Sequence, residues 1–341
     1  MLSFASDYEE GAHPAILNRL CDTNLEKSPG YGSDGYCASA AEKIRAACGA
    51  PDAGIYFLGG GTQTNTIVLS AMLKPWQGIC SASSGHINVH EAGSIEACGH
   101  KILALPSHMG KIDPEELEAM CAGLFGDENH DHMIMPGAVY ISQPTECGTI
   151  YSLSEFTDIK NICEKYGLYL YADGARLAYA LSCPENDVTL KDLARLCDAF
   201  YIGGTKCGAL FGEAVVIPDP ALLPHFFTII KQKGALFAKG RILGLQFDTL
   251  FTDDLYLHIG GPAIAAADRI RNALAAKGYS FAFNSPTNQV FVILENEMLP
   301  KLAGKVSLSY WEKYDDSHTV MRIAASWAVN DKDVDELISL F

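Results

Sequence analysis

Short segments of almost unbroken apolar character alternate with amphipathic helices along most of this chain. Four of these segments are clear: GIYFL (54–58), AVYISQ (138–143), LYLYAD (168–173) and DAFYIGG (198–204). Strands of this kind are typical of parallel sheets that are covered by helices on both faces. Because parallel strands need long crossover connections, usually helices, the alternation predicts an α/β fold with a mostly parallel sheet.

The pattern changes near residue 250. A long helix spans PAIAAADRIRNALAAKG (262–278), and QVFVIL (289–294), KVSLSY (305–310) and VMRIAASW (320–327) are predicted as strands before a last helix. With 341 residues, 48% of them hydrophobic, the chain is large enough for two domains. We therefore predict a large domain over residues 1–250 and a smaller α+β domain over residues 251–341.

Charge and cysteine content limit the function classes. Forty-one acidic and 25 basic residues give a net charge of −16, which argues against nucleic acid or an anionic membrane as a partner. No basic, apolar leader begins the chain, and no run approaches the ~18 apolar residues of a membrane span. The eleven cysteines lack metal-binding spacing and are interpreted as reduced and mostly buried. We expect a cytoplasmic protein without a metal, with His130 and His132 in a solvated loop.

Three features directly follow predicted strands: Asp173, Lys206 and the glycine-rich turn GGGTQ (59–63). In open parallel sheets, ligands bind outside the carboxyl ends of the strands. A glycine-rich turn that opens a helix offers free N–H groups and a positive dipole end to a phosphate, although a plain tight turn fits these residues equally well. Asp173 and Lys206, taken singly, are each compatible with an ordinary surface loop.

Together, the three features match the needs of pyridoxal 5'-phosphate. This cofactor requires a lysine that forms a Schiff base, an acid that faces the ring nitrogen and a phosphate cradle. The glycines around Lys206, at 203, 204 and 208, would let a flat cofactor approach the backbone. The apolar strand before Lys206 would favour a neutral amine, which can attack a carbonyl carbon. Asp173 would keep the ring nitrogen protonated.

Several motifs extend this match along nearly the whole chain. They are SD (6–7), YGSD (31–34), GGGTQTN (59–65), SGHINVHEAGS (84–94), YADGAR (171–176), GGTKCG (203–208) and MRIAASW (321–327). In their order and spacing, the chain resembles the low-specificity L-threonine aldolases of the β-eliminating lyase superfamily. The segment ISQPTECGTIYSLSE (141–155) is most similar to the phenylserine-aldolase-like branch. The resemblance implies the PLP-dependent transferase-like fold type I, with a seven-stranded sheet in the large domain.

The resemblance also implies which residues bind the cofactor. Lys206 would form the Schiff base, Asp173 would pair with the pyridine nitrogen, and His86 would stack on the ring, unless it is an ordinary core or loop histidine. The phosphate would be held by Gly60, Gly61 and Thr62. His90, His100 and Cys207 are interpreted as structural.

Other residues would bind the substrate or act across a subunit interface. The resemblance implies that Arg176 and Arg322, with Ser6 of the N-terminal segment, bind the substrate carboxylate, which a planar guanidinium can match with two bonds. Arg176 has an alternative role in a structural ion pair with Asp173. Tyr31 would enter the site of a neighbouring subunit, and Lys233 would add a phosphate contact there. A homodimer or homotetramer with shared active sites is therefore expected.

Glu146 departs from the family pattern. Threonine aldolases commonly carry a second histidine in an E-N-T-H-N type segment, and the matching run here is Gln143 to Cys147. Glu146 replaces that histidine. We hypothesise that Glu146, or a water that it holds, takes the proton of the β-hydroxyl group, with a basicity adjusted by burial. His86 is the competing candidate.

The implied reaction is a retro-aldol cleavage of an L-β-hydroxy-α-amino acid to glycine and an aldehyde, with Tyr8 and Tyr179 favouring a bulky aromatic side chain. Two other classes stay open. An aminotransferase, a hydroxymethyltransferase or another β-eliminating lyase would use the same lysine and aspartate, and a non-catalytic protein would keep the fold without turnover. An assay of β-hydroxy amino acids without a second substrate separates these classes.

Overall fold

A seven-stranded sheet forms the centre of the computed structural model, which describes residues 2–341. Its strands lie in the order β2 (Gly54–Leu58), β8 (Glu213–Ile217), β7 (Ala199–Gly203), β6 (Tyr169–Asp173), β5 (Met135–Ser142), β3 (Gln77–Ala82) and β4 (Ile102–Leu105). Strands β3 to β7 pair in parallel, whereas β8 runs antiparallel to both of its neighbours. The predicted α/β fold with a mostly parallel sheet is confirmed. We had not singled out β8 in the sequence.

Helices cover both faces of this sheet. The described residues form α1 (Pro14–Asp22), α2 (Gly35–Cys48), α3 (Gly61–Met72), α4 (His86–Val89), α5 (Pro114–Gly126), α6 (Leu153–Tyr166), α7 (Leu177–Ser182), α8 (Leu190–Leu196), α9 (Phe226–Gln232), α10 (Arg241–Leu250), α11 (Leu255–His258), α12 (Gly261–Ala276), α13 (Leu299–Leu302) and α14 (Asp331–Ser339). Short 3-10 turns lie at Glu96–Cys98, His130–His132 and Pro220–Leu222.

Alternate residues of each central strand point into two different hydrophobic cores. In β5, Val139 and Ile141 lie in one core, while Ala138 and Tyr140 lie in the other. The same alternation in β6 and β7 places Tyr171 and Tyr201 beside Tyr140. Since each strand is buried on both sides, its sequence is apolar throughout, which is the pattern that predicted the parallel sheet.

A second, antiparallel sheet lies in the C-terminal part of the chain. Its order is β12 (Ser309–Lys313), β13 (His318–Ala324), β10 (Gln289–Glu295) and β9 (Ser280–Phe281). The N-terminal strand β1 (Leu2–Ser3) pairs in parallel with β11 (Val306–Ser307). Phe4 extends this contact, because its N–H donates to Ser307 and its carbonyl accepts from the Ala324 N–H. The division at residue 250 stays a prediction, but the chain's first residues lie against its C-terminal strands.

Three observations concern the cysteines, the histidines of the polar loop and the helices. All eleven cysteines are free thiols, and nine of them are buried. His130 and His132 are exposed. None of the helices in residues 2–341 combines the length and the apolar character that a bilayer crossing requires.

One buried carboxylate, Asp248 of α10, joins three helices. It accepts hydrogen bonds from Arg19 of α1 at 2.6 Å and from Ser39 of α2 at 2.6 Å, and Lys43 of α2 lies 2.6 Å away. Burial alone would raise the pKa of Asp248, but the bonds from Lys43, Ser39 and Arg19 hold this pKa below its usual value. Asp248 therefore stays ionised inside the helical layer and fastens α1 and α2 to α10.

We expect Asp248→Asn to lower the free energy of unfolding by about 2 kcal/mol at pH 7, because it leaves the charges of Arg19 and Lys43 without their counter-ion. A carboxyl whose folded pKa is depressed contributes stability above its unfolded pKa of about 4 and loses it as the pH falls through the folded value. The deficit should therefore shrink below pH 4. Urea unfolding at pH 7 and pH 3 measures this deficit. Glu42→Gln, on the exposed side of α2, is the control, and an equal deficit for both variants would contradict this role.

Candidate active site

The carboxyl ends of the central strands open into a cavity of about 270 Å³. Of the residues predicted from the sequence, it is lined by Gly60, Gly61, Thr62, His86, Glu146, Asp173, Arg176 and Lys206. A second cavity of about 340 Å³ adjoins it, shares Tyr8, His86 and Lys206 with it, and is lined by Arg322 from β13. The fold thus brings together residues that are far apart in the sequence, such as Tyr8 and Arg322 in the second cavity.

Asp173, the last residue of β6, is a buried carboxylate with four hydrogen-bond donors. Tyr140 and Asn65 donate to Oδ2 at 2.7 and 3.0 Å, and Tyr201 and the Ala175 N–H donate to Oδ1 at 2.5 and 2.9 Å. Burial alone would raise the pKa of Asp173, but the neighbouring His86 and the bonds from Tyr201 and Tyr140 bring this pKa below its ordinary value. Asp173 is therefore a fixed negative charge on the wall of the cavity.

Three tyrosines beneath the cavity were missed in the sequence analysis. Tyr140, Tyr171 and Tyr201 each lie two residues before the end of a central strand and point to the same face of the sheet. Tyr171 donates to Asn65 Oδ1 at 2.9 Å, which orients the Asn65 amide toward Asp173. The signal was available, because a tyrosine recurs at the same position in three predicted strands. Phenol groups placed there can satisfy a buried carboxylate without cancelling its charge.

Lys206 lies in the loop after β7, half-buried between the two cavities. Burial, followed by the positive charge of Arg176, lowers its pKa, which favours the neutral amine as predicted. Tyr179 donates its hydroxyl to the Lys206 carbonyl at 2.6 Å and is itself fully buried. Tyr179 therefore supports the loop from below, while Tyr8, the other tyrosine named from the sequence, lines the cavity.

The glycines before Lys206 have a different cause from the one predicted. A Cβ atom at Gly203 would lie 2.4 Å from the Ala175 carbonyl oxygen, and one at Gly204 would lie 2.6 Å from the Gly212 carbonyl oxygen. These positions lack side chains because neighbouring backbone segments pack directly against them. The expectation that they make room for a flat cofactor is replaced by close packing within the loop.

The glycine-rich turn after β2 forms an anion cradle. Helix α3 begins at Gly61, and its N-cap residue Gly60 has open space where a Cβ atom would lie. The first N–H groups of a helix have no partner within the helix, and the dipole makes this end positive. Gly60, Gly61 and Thr62 line the cavity, so these donors are available to a phosphate.

His86 begins the short helix α4 and is oriented by a buried acid. Its Nδ1 lies 2.8 Å from Glu91 Oε1, which also accepts from Asn65 at 2.7 Å. Ser94 donates to the second oxygen of Glu91. With Nδ1–H donating to Glu91, Nε2 of a neutral His86 is an acceptor. Glu91 belongs to the HEAG motif, but we assigned it no role from the sequence.

Glu146 lies on the wall shared by the two cavities and is only 8% exposed. Its Oε1 accepts from the His86 N–H at 2.9 Å and from Ser142 Oγ at 2.7 Å. Burial raises the pKa of Glu146, against the opposing effect of the Ser142 bond. Both bonds fall on the same oxygen, so Oε2 takes part in neither. A carboxylate of raised basicity is thus placed beside His86 and Lys206.

Arg176 forms an ion pair with a different acid from the one considered above. Its Nε and Nη2 donate to the two oxygens of Asp7 at 2.6 and 2.9 Å, and the Asn288 amide also donates to Asp7. Although burial opposes ionisation, Arg176 brings the pKa of Asp7 down to about 2. The alternative pairing with Asp173 is not formed. Arg176 therefore turns two of its donors toward the N-terminal segment, and Nη1 donates to neither oxygen of Asp7.

Arg322 has no acidic partner among residues 2–341. Its Nη1 donates to Gln289 at 3.2 Å and its Nη2 to the Ala5 carbonyl at 3.0 Å, and its Nε is buried without a partner in the described chain. Burial, with the positive charge of Arg176, lowers the pKa of Arg322 to about 10. Ser6 Oγ is also buried and unpartnered within the same described range. Arg322 remains a cation that faces the cavity without a counter-ion.

Two predicted residues lie away from the cavity of their own chain. Tyr31, 45% exposed, lines another hollow together with Phe237, and the Lys231 ammonium lies 4.4 Å from its ring centre. Lys233 is exposed at the end of α9, 3.7 Å from Cys98 Sγ. Their predicted roles in a neighbouring subunit stay predictions. His90, interpreted as structural, does line the second cavity.

Known proteins match this chain over most of its length. The family model for beta-eliminating lyases matches residues 3–297. The chain is 28% identical to the low specificity L-threonine aldolase of Pseudomonas aeruginosa over 308 residues, which cover 89% of this chain and 87% of that protein. A Pseudomonas sp. protein of the same name is 29% identical over 308 residues, with the same coverage.

Solved structures agree with this result. The Leishmania major threonine aldolase structure is 43% identical, covers 100% of this chain and 98% of its own, and superposes with a TM-score of 0.96. Aspartate aminotransferase from Thermus thermophilus, at 14% identity, covers 100% of this chain and 91% of its own with a TM-score of 0.72, which supports the fold alone. Because the family model spans most of its length, the chain belongs to the beta-eliminating lyase family.

Proposed function

We propose that this protein is an aldolase that cleaves L-β-hydroxy-α-amino acids to glycine and an aldehyde with pyridoxal 5'-phosphate. The observation that carries the proposal is the single cavity lined by Lys206, Asp173 and the glycine-rich turn at Gly60. Pseudomonas relatives that match most of this chain bear the name low specificity L-threonine aldolase. Lyase chemistry at this cavity follows from the family as well as from the residues.

The residues present fit the cofactor. Lys206 supplies an amine whose pKa is lowered, Asp173 supplies an ionised buried carboxylate for a protonated ring nitrogen, and the start of α3 supplies free N–H groups for a phosphate. When bound, pyridoxal phosphate takes up the electron pair that is left at Cα when the Cα–Cβ bond breaks.

Two arginines account for the binding of the substrate carboxylate. Arg322 lines the second cavity with no acidic partner in the described part of the chain, and Arg176 is fixed by Asp7. A guanidinium can match both oxygens of a carboxylate, and a partly dry site strengthens the interaction. We infer that Arg322 makes the principal contact with the substrate carboxylate and that Arg176 helps to orient this carboxylate. Ser6 lies between Ala5, which accepts from Arg322, and Asp7, which pairs with Arg176. Clamping the carboxylate fixes which bond at Cα is presented for cleavage.

Glu146 is proposed as the base for the β-hydroxyl proton. Its carboxylate is held by Ser142 and by the His86 N–H, and burial makes it a better proton acceptor than an exposed glutamate. Once the proton has moved to Glu146, the β-oxygen becomes the carbonyl oxygen of the leaving aldehyde as the bond to Cα breaks. Cα then takes up a proton, which yields glycine. His86 Nε2, oriented by Glu91, is the competing acceptor.

Aromatic side chains favour a bulky substrate. Tyr8, His90, Tyr310 and Trp311 line the second cavity, next to Arg322. Such a wall stabilises the aryl group of a substrate because it buries the apolar surface of that group and contacts it with other rings. We therefore propose that the chain belongs to the phenylserine-aldolase-like branch, with phenylserine cleaved in preference to threonine.

We expect the purified protein to release aldehyde and glycine from L-phenylserine, L-threonine and L-allo-threonine without any second substrate. Lys206→Ala should lower kcat at least ~10³-fold, because the reacting amine is lost. Benzaldehyde formation and glycine are measured directly. A transaminase would instead need a keto acid, and an aminated cofactor that accumulates with glutamate or alanine would contradict the aldolase assignment. Absence of turnover with a fully loaded site would indicate a non-catalytic protein.

We expect Glu146→Gln to lower kcat by about 10²-fold with little change in KM, since general base catalysis typically contributes this much. Glu146 acts when ionised, so wild-type kcat should rise with pH through the elevated pKa of Glu146, and this rise should be absent in the variant. The pH profile of benzaldehyde release measures both. If Glu146→Gln keeps the acid limb while His86→Gln removes it, His86 is the base instead.

An assembly with shared active sites is proposed from Tyr31, which is exposed and lies outside its own chain's cavity. We expect a mass of two or four chains in light scattering, and Tyr31→Phe to change KM more than the unfolding free energy. A monomer with full activity would contradict this assembly.

A further inference from the structure

Glu213 is an acid of the cavity that neither the sequence analysis nor the reaction above has used. It is the first residue of β8 and lies in an otherwise apolar run, EAVVI. Its side chain is buried, and it lines the same cavity as Lys206 and Asp173. A charged group in such a position costs stability unless something compensates it.

The carboxylate of Glu213 holds the loop that precedes Lys206. Its Oε2 accepts from the Gly204 N–H at 2.9 Å, and its Oε1 accepts from Thr205 Oγ1 at 2.8 Å. Thr205 Oγ1 in turn accepts from the Gly212 N–H at 3.0 Å, and the Gly212 carbonyl accepts from the N–H groups of Gly204 and Thr205. These bonds hold Gly204 and Thr205, the two residues before the lysine, so they fix the position of the Lys206 backbone relative to Glu213.

A neutral glutamine amide could keep contact with both partners, because its oxygen can accept from the Gly204 N–H and its NH2 group can donate to Thr205 Oγ1, which reverses the second bond. The charge of Glu213 therefore needs a reason beyond the positions of Gly204 and Thr205. Burial raises the pKa of Glu213 to about 7, against the bonds from Thr205 and Gly204 and the charge of Lys206, which favour ionisation. Burial thus opposes this charge, and the bonds from Thr205 and Gly204 and the charge of Lys206 allow Glu213 to be ionised above neutral pH.

The groups that face Glu213 come from several elements. Lys206 favours its ionised form and Asp173 at the end of β6 disfavours it. The phenols of Tyr171, Tyr201 and Tyr256 and the thiol of Cys207 also feel the charge, and burial keeps their pKa values high, so they remain neutral. Lys206 carries the nitrogen whose protonation the charge of Glu213 favours.

We propose that Glu213 is a positioning residue that acts through Lys206: its carboxylate fixes the lysine loop and keeps the nitrogen of Lys206 protonated when that nitrogen is linked to the cofactor. A protonated carbon–nitrogen double bond is the form that an incoming amine attacks more readily. This inference rests on the proposed role of Lys206, and it adds a residue that controls how easily the substrate replaces the lysine.

The test uses the cofactor-loaded protein without substrate. The visible absorbance of bound pyridoxal phosphate reports the protonation of the linking nitrogen and is titrated from pH 5 to 10. We expect Glu213→Gln to move the midpoint to lower pH by about one unit, which corresponds to about 1.4 kcal/mol of interaction between one carboxylate and one protonated nitrogen. Thr205→Val, which removes a donor to ionised Glu213, should move it in the same direction by less. Asp248→Asn neutralises a buried acid outside both cavities and should leave it unchanged.

Stability of the cofactor-free protein gives an independent measurement. A carboxyl with a folded pKa of about 7, above its unfolded value of about 4.3, loses stability as the pH rises between the two. Glu213→Gln should therefore melt at a higher temperature than wild type at pH 8 and at a similar temperature at pH 5. A lower melting temperature at pH 8 would mean that the charge is required for folding, which overturns the proposal.

The outcomes separate this inference from the proposed reaction. An unchanged absorbance midpoint in Glu213→Gln and Thr205→Val overturns the inference, whatever the aldolase assay gives. If wild-type protein takes up the cofactor and shows the shift but cleaves no β-hydroxy amino acid, only the proposed substrate reaction fails. Recovery of the wild-type midpoint by Glu213→Asp, which restores the charge, would support the role of charge over side-chain shape.

Discussion

A single buried negative charge, that of Asp173, organises the site. Four donors from two strands, a helix and the following loop converge on it. Removing an ion from water is expensive, so such a charge persists only where dipoles are fixed around it. The sheet supplies these dipoles, because parallel strands end at one edge and bring Tyr140 and Tyr201 to either side of Asp173.

Around Asp173 the cavity collects further acids, each with its own compensation. Glu91 is hydrogen-bonded to His86 and Asn65, and Asp7 is hydrogen-bonded to Arg176. Glu146 accepts a hydrogen bond from Ser142, and Glu213 accepts one from Thr205. Within residues 2–341, Arg176 is paired with Asp7, whereas neither Arg322 nor Lys206 forms an ion pair with an acid. A net charge of −16 for the whole chain does not prevent an anionic ligand from binding, because the local field is set by Arg322, Lys206 and the start of α3.

Strand ends made much of this site predictable. Asp173 and Lys206 could be found because they interrupt apolar runs, and Gly60 because a glycine cluster lies between a strand and a helix. Asp7 and Arg176 could not be paired, since 169 residues separate them and only the fold brings them together. Glu213 was missed because the strand that it begins was not singled out in the sequence, and the close packing at Gly203 and Gly204 was missed because backbone packing leaves no trace in a local pattern.

The pairing of β1 with β11 has a consequence for the ends of the chain. Residues 2–4 are hydrogen-bonded to strands in the C-terminal part of the chain. Three positions later, Asp7 forms an ion pair with Arg176 beside the central sheet. The N-terminal segment therefore connects the C-terminal strands to the edge of the central sheet. A substitution that displaces residues 2–4 would therefore reach both arginines of the site, Arg322 through the Ala5 carbonyl and Arg176 through Asp7.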